Sequence, residues 1–188
     1  MAKVGRNLVL FGLSGSIGDQ IVISQRKSGT VISQSPPERD TEPTEAQRAH
    51  QARFQQAVIY AKVQLDDPAS KAEYSAKAVK GRSAYNIAVA DFLQAPAIDE
   101  IDLTNYNGAI GNTIRVRVVD DFKVQQVNVA IHNSDATLVE QGNAVQLPTK
   151  VDWLYTATAQ NTALSGDRIA VTATDKPGNI SELEQTLS

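Results

Sequence analysis

Two histidines, no cysteine and a scatter of carboxylates at turn positions are the side chains from which any chemistry in this 188-residue chain must be built. His50 falls in a helical stretch and His132 at the end of a strand-like run, so each reads as a surface or packing residue; a zinc centre needs three or four convergent ligands. Gly12-Leu13-Ser14-Gly15-Ser16 has the outline of a nucleophile elbow. Its last position is serine rather than glycine, however, and no strand–turn–helix pattern encloses it. Gly12, Gly15 and Gly18 are not followed by Lys-Ser/Thr, so they do not form a phosphate loop and read as turn and close-packing positions. Asp120-Asp121, Asp135, Asp167 and Asp175 could offer oxygen ligands to Ca²⁺. Their spacing is neither that of an EF-hand nor an Asp-x-Asp cluster, and they read as solvated turn residues. Tyr106, Trp153 and Tyr155 would make a sugar-stacking platform if exposed, but the last two sit on an alternating apolar face that predicts core packing. The sequence therefore presents no catalytic residue, no cofactor site and no metal site, and predicts a protein that is not an enzyme.

Composition narrows the class. An apolar fraction of 41% with 21% charged residues describes a globular chain with a packed core, not a disordered one. Residues 1–97 carry 12 Lys+Arg against 9 Asp+Glu, a net of +3, whereas residues 98–188 carry 6 against 12, a net of −6. Neither half holds the concentrated basic patch that nucleic-acid binding requires. The longest N-terminal apolar run, Leu8–Phe11, is too short for a secretory signal. No stretch approaches the length of a membrane span. The expectation is synthesis in the cytoplasm without a recognisable signal peptide, no membrane insertion, and an extracellular or virion-associated location after release.

Three segments must position these residues. Residues 1–37 form the first, a β-rich arm. Ile21–Gln25 and Thr30–Gln34 are β-branched runs around Arg26-Lys27-Ser28-Gly29, which predicts a hairpin, and Pro36-Pro37 ends the pairing. The arm's candidate contact residues are Leu8, Leu10, Phe11, Gly12, Gly15, Gly18, Ile21, Ile23 and Val31. Residues 44–96 predict three helices. Thr44 and Gln47 make a capping box, ahead of an apolar stripe through Ala46, Ala49, Phe54, Ala57, Val58, Ala61 and Leu65, interrupted at Arg53. Asp67-Pro68 opens a second helix to about Lys80, and Ser83 caps a third carrying Tyr85, Ala88, Val89, Phe92 and Leu93. From Ile98 the period becomes two. Strands are predicted at about 98–103, 111–119, 123–132, 136–141, 151–159, 166–174 and 180–186, separated by turns such as Asn133-Ser134-Asp135 and Pro177-Gly178-Asn179. Seven short strands over residues 98–188 suit an immunoglobulin-like β-sandwich, its core drawn from Val116, Val129, Trp153, Tyr155 and Val171. The fold class is thus α+β: a β-hairpin arm, a three-helix region and a sandwich.

Two resemblances add to this. Through the Trp153-Leu154-Tyr155-Thr156-Ala157-Thr158 strand and the Ala173–Asn179 turn, residues 98–188 resemble the immunoglobulin-like modules of bacterial surface and multidomain proteins, which serve as spacers, adhesins and virion decorations. Residues 9–60 resemble a group of bacterial and phage-associated proteins through Gly12, Ser14, Gly15, Gly18, Gly29, Pro36, Thr44, Glu45, Ala46, Gln47, Arg53 and Phe54. That group implies a shared N-terminal structure and assembly, with no activity attached. The expectation is a self-assembling structural subunit of a filament, tube or phage-like particle, a homo-oligomer joined through its arm. The alternative is a carbohydrate-binding or adhesin-type surface module that meets a glycan through its sandwich loops.

Overall fold

A computed structural model describes residues 2–4, 12–18, 20–26, 29–35, 42–79 and 81–187. The chain divides into two compact units, Met1–Ala52 with Val79–Ser83, and Arg53–Ala78 with Ala84–Ser188. This differs from the three segments expected at 1–37, 44–96 and 98–188, because most of the helical region shares a unit with the sandwich.

In the first unit, β1 (Ala2–Val4), β2 (Gly15–Ile17), β3 (Ile21–Arg26) and β4 (Gly29–Gln34) form an antiparallel sheet in the order β1-β4-β3-β2. The hairpin read from the sequence is its centre, with Arg26 paired to Gly29 and Ile21 to Gln34. A strand on each side extends it beyond the hairpin expected. Leu8, Leu10 and Phe11 lie outside the described residues. Register puts Ile17, Ile21, Ile23 and Ile32 on one face, because Ile17 faces Ile21 and Ile23 faces Ile32 across the strands. Ile23 and Val31 are buried. Gly12, Gly15 and Gly18 all have positive φ, a backbone conformation that favours glycine, and among the described residues nothing lies within 4 Å of a Cβ placed on any of them.

Three helices follow, α1 (Glu45–Asp66), α2 (Pro68–Ala76) and α3 (Ala84–Leu93). The capping box opens α1: Gln47 N donates to Thr44 Oγ1 and Thr44 N to Gln47 Oε1. Asp67 caps α2, accepting from Ser70 N at 2.8 Å, with Pro68 in the first turn. α2 ends at Ala76 rather than near Lys80, and Lys77 Nζ donates to the Phe122 carbonyl. The stripe on α1 is buried only at Ala57 and Ala61; Ala46, Ala49, Arg53 and Phe54 are exposed. In the second unit Ala57, Ala61, Tyr74, Ile87, Ala88 and Val89 form a small core that is completed by Phe122 of the sandwich.

The sandwich comprises β5 (Ala97–Asp102), β6 (Thr113–Val119), β7 (Val124–His132), β8 (Leu138–Asn143), β9 (Val145–Gln146), β10 (Asp152–Thr156), β11 (Arg168–Asp175) and β12 (Ile180–Thr186). Its two antiparallel sheets run β5-β6-β10-β9 and β12-β11-β7-β8. Their inner faces supply one core, in which Ile114, Val116, Val118, Trp153 and Tyr155 meet Val127, Val129, Ile131, Ile169, Val171 and Ala173. The alternate positions Arg115 and Arg117 point outward and pair with acids on neighbouring strands, Arg115 with Asp102 at 3.0 Å and Arg117 with Asp152 at 3.2 Å. Gly108, at φ +84°, is fixed by contact as well as conformation: a Cβ there would stand 2.2 Å from the Asn161 carbonyl oxygen.

Candidate carboxylate site

The sandwich core residues Val116, Val129, Trp153, Tyr155 and Val171 are all buried. Tyr106 is buried as well, so none of Tyr106, Trp153 and Tyr155 is presented to solvent as a stacking platform. His50 is exposed on α1 and His132 half-buried at the end of β7. Ser14 is exposed in the loop before β2, outside any strand–turn–helix frame. Asp135 closes its own loop by accepting from Thr137, and Asp167 is buried, holding Ser134 N and Asn161 Nδ2.

The convergence that matters chemically lies elsewhere. Asp91 of α3, Asp120 of the β6–β7 turn and Asp175 at the end of β11 bring three carboxylates together, with one oxygen of each within 4.8 Å of the others. Local chemistry explains each position. Asp120 Oδ2 accepts from Phe122 N and Lys123 N, closing the turn into β7. Asp175 Oδ1 accepts from Gly178 N and Asn179 N, closing the turn into β12. Asn179 Nδ2 donates to Asp175 Oδ2 at 2.7 Å and also lies 3.1–3.3 Å from the carbonyls of Asp91, Phe92 and Gln94. Those carbonyls lie at and just past the C-terminal end of α3, where helix carbonyls run short of intrahelical donors; the Asp91 carbonyl also accepts from Gln94 N at 3.4 Å. The Asp-Lys-Pro-Gly-Asn turn is therefore the helix cap and the seat of the third carboxylate at once.

Asp91 is the centre of the group. It is 1% exposed, and its Oδ2 accepts from Tyr74 Oη at 2.5 Å, while Tyr74 Oη lies 2.9 Å from Tyr60 Oη. Its Oδ1 is buried and has no hydrogen-bond partner among the described residues. Burial, together with the charges of Asp120 and Asp175, pushes its carboxyl up to about 7, against the Tyr74 bond and the nearby Lys176 charge. Burial also raises Asp175, against its bonds from Asn179 and Gly178. The Tyr74 hydroxyl is driven far above its usual range, by burial first and then by its bonds to Asp91 and Tyr60; burial pushes Tyr60 up to about 12. Lys176 faces the cluster's rim, held by Glu73 at 2.7 Å and Ser70 at 3.1 Å, with its ammonium 4.8 Å above the Tyr74 ring. Asp120 also lines a surface groove of about 490 Å³, alongside Lys77, Phe122 and Lys123.

Asp120 and Asp175 were expected as separate solvated turn residues. Asp91 carried no expectation, although one signal was present: it is the only charged residue of α3.

No family model matches the chain, and no curated protein does. Among solved structures it is similar to CopC from Methylosinus trichosporium OB3b, at 15% identity over 47% of this chain and 87% of that one, with a TM-score of 0.36. It is also similar to an engineered protein solved as a structural-genomics target, at 17% identity over 58% of this chain and 30% of that one, with a TM-score of 0.35.

Proposed function

We propose that this protein is a non-enzymatic structural subunit that self-associates through its N-terminal sheet. The observation that carries the reading is the isoleucine row of that sheet. Ile23 is buried, but the row emerges toward the β2 edge, where Ile21 is 39% and Ile17 60% exposed. A short edge strand with an apolar face is a template for a strand from a second copy of this chain. A bacterial or phage-associated assembly component, as the N-terminal resemblance implies, is a fitting setting. The sandwich is read as an immunoglobulin-like spacer. The order β5-β6-β10-β9 against β12-β11-β7-β8 corresponds to strands A-B-E-D against G-F-C-C′, which supports that reading.

The test is mass in solution. The full chain is expected to form large species whose size rises with concentration. The same chain lacking residues 1–37 should remain folded by circular dichroism and run as a monomer, and Ile17→Lys in the full chain should shift the balance toward monomer. A full chain that stays monomeric at every concentration overturns the proposal. The second reading, a glycan-binding surface module, draws on a polar cavity of about 440 Å³ between Asn133–Asp135 and Gln160–Ala163. A monomer that binds a glycan array, with binding lost in Asn133→Ala, would favour it.

A further inference from the structure

The geometry points to a divalent-cation site of the calcium type, formed by Asp91, Asp120 and Asp175, which pins α3 to one end of the sandwich. Three carboxylates from distant parts of the chain converge with oxygens within 4.8 Å of one another. Two oxygens on opposite sides of one Ca²⁺ at about 2.4 Å are separated by about that distance. A wholly oxygen donor set selects hard cations over zinc or copper.

The second observation is the buried Oδ1 of Asp91. Every other polar contact of Asp91 and Asp175 described above stabilises an ionised carboxylate: Tyr74 donates to Asp91, and Gly178 and Asn179 donate to Asp175. Yet Oδ1, on a side chain 1% exposed whose carboxyl is one of the three convergent acids, receives no donor among the described residues. A buried anionic oxygen without a donor is costly, and two further carboxylates beside it compound the cost. Lys176 does not discharge this role, since its ammonium is held by Glu73 and Ser70. A cation among the three acids would satisfy Oδ1 and reverse the mutual repulsion. The half-buried Asp120, which also lines the surface groove, gives the ion a route from solvent and leaves room for coordinating water.

The experiment uses the full chain, stripped with a chelator and titrated with CaCl₂, with MgCl₂ and MnCl₂ alongside and NaCl at matched ionic strength as the control. Calcium is expected to raise Tm progressively with the logarithm of its free concentration, and to give a saturable isotherm of about one ion per chain by calorimetry. Asp91→Asn keeps an acceptor for Tyr74 and should weaken binding on the order of a hundredfold. Asp120→Asn, on the solvent side and retaining its turn-closing acceptor, guards against a folding defect and should weaken it likewise. Asp66→Asn, outside the cluster, should leave it unchanged. The proposal is overturned if none of the three cations raises Tm beyond the NaCl control, or if Asp91→Asn and Asp120→Asn bind as the parent does. A chelated protein that is indifferent to divalent ions, but loses an acid-stabilised Tm in Asp91→Asn, would assign a shared proton to the cluster instead.

Discussion

Trp153 and Asp91 are both buried single side chains, and they make opposite demands on their surroundings. Trp153 contributes apolar area between the sheets, and its Nε1 finds no hydrogen-bond partner among the described residues. Trp153→Ala is expected to cost about 3–5 kcal/mol, read from chemical denaturation. Trp153→Phe should cost much less, because no hydrogen bond is lost with the indole. Asp91 instead titrates. Its folded-state carboxyl, near 7, lies above the ordinary aspartate value of 3.8, so the folded chain holds a proton that the unfolded chain has released between those values. Stability from this group is therefore full below about pH 4 and is lost as pH rises through about 7. Asp175 works in the same direction, with Tyr60, Tyr74, Asp120 and Lys176 as the other ionisable groups around Asp91. In chelated protein, Tm at pH 5 should exceed Tm at pH 8, and Asp91→Asn should flatten that difference. Trp153 was legible from the sequence because alternation is local. Asp91 was not, because its role comes from two residues far along the chain, and an aspartate in an apolar helix carries no periodic signal of its partners.

At the scale of elements, most of the β pattern could be read in advance because sheets with one buried face impose a period of two. The runs around Val116, Val129, Trp153 and Val171 all fall on strands. The two-residue β9 was missed: Val145 and Gln146 are too few to show a period, and they exist as a strand only through pairing with Trp153 and Leu154. The outer strands of the N-terminal sheet were missed for the same reason, as β1 and β2 are three residues each. Caps were more readable than lengths. Asp67→Ala should lower Tm through loss of the α2 cap, measured by thermal unfolding. The β11–β12 turn was recognised as a turn, but its position against α3 was not, since the order of residues does not say which carbonyls an asparagine will meet. Asn179→Ala is expected to cost about 1–3 kcal/mol and to speed amide exchange in α3 more than in β7.

At the scale of the whole molecule, the sequence placed a boundary near Pro96, where the period changes from helical to two. The change of period is real, but the packing does not divide there, because Phe122 enters the helical core and Asn179 caps α3. The helices from Arg53 onward and the sandwich belong to one unit. A fragment of residues 97–188 is accordingly expected to melt well below one spanning 44–188, and the longer fragment to lose its helical and sandwich signals in a single transition. Separate, unchanged transitions would show that the contacts at Phe122 and Asn179 carry little energy.

The docking of the Asp175–Asn179 turn bears on display and tagging. By sequence it is the most inviting place in the chain for a peptide insertion, a proline–glycine hairpin tip of the kind that usually tolerates one. Here an inserted epitope would pull apart the backbone bonds that hold Asp175 and Asn179 and would release the end of α3. The loop at the other end of β7 is closed at Asp135 and Ala136 by local bonds, Thr137 N to Asp135 Oδ1 and Ala136 N to the Asn133 carbonyl, and neither exposed residue caps a helix. An epitope between those two residues should be recognised by antibody on a fully folded chain, whereas the same epitope after Pro177 should be recognised on a loosened one.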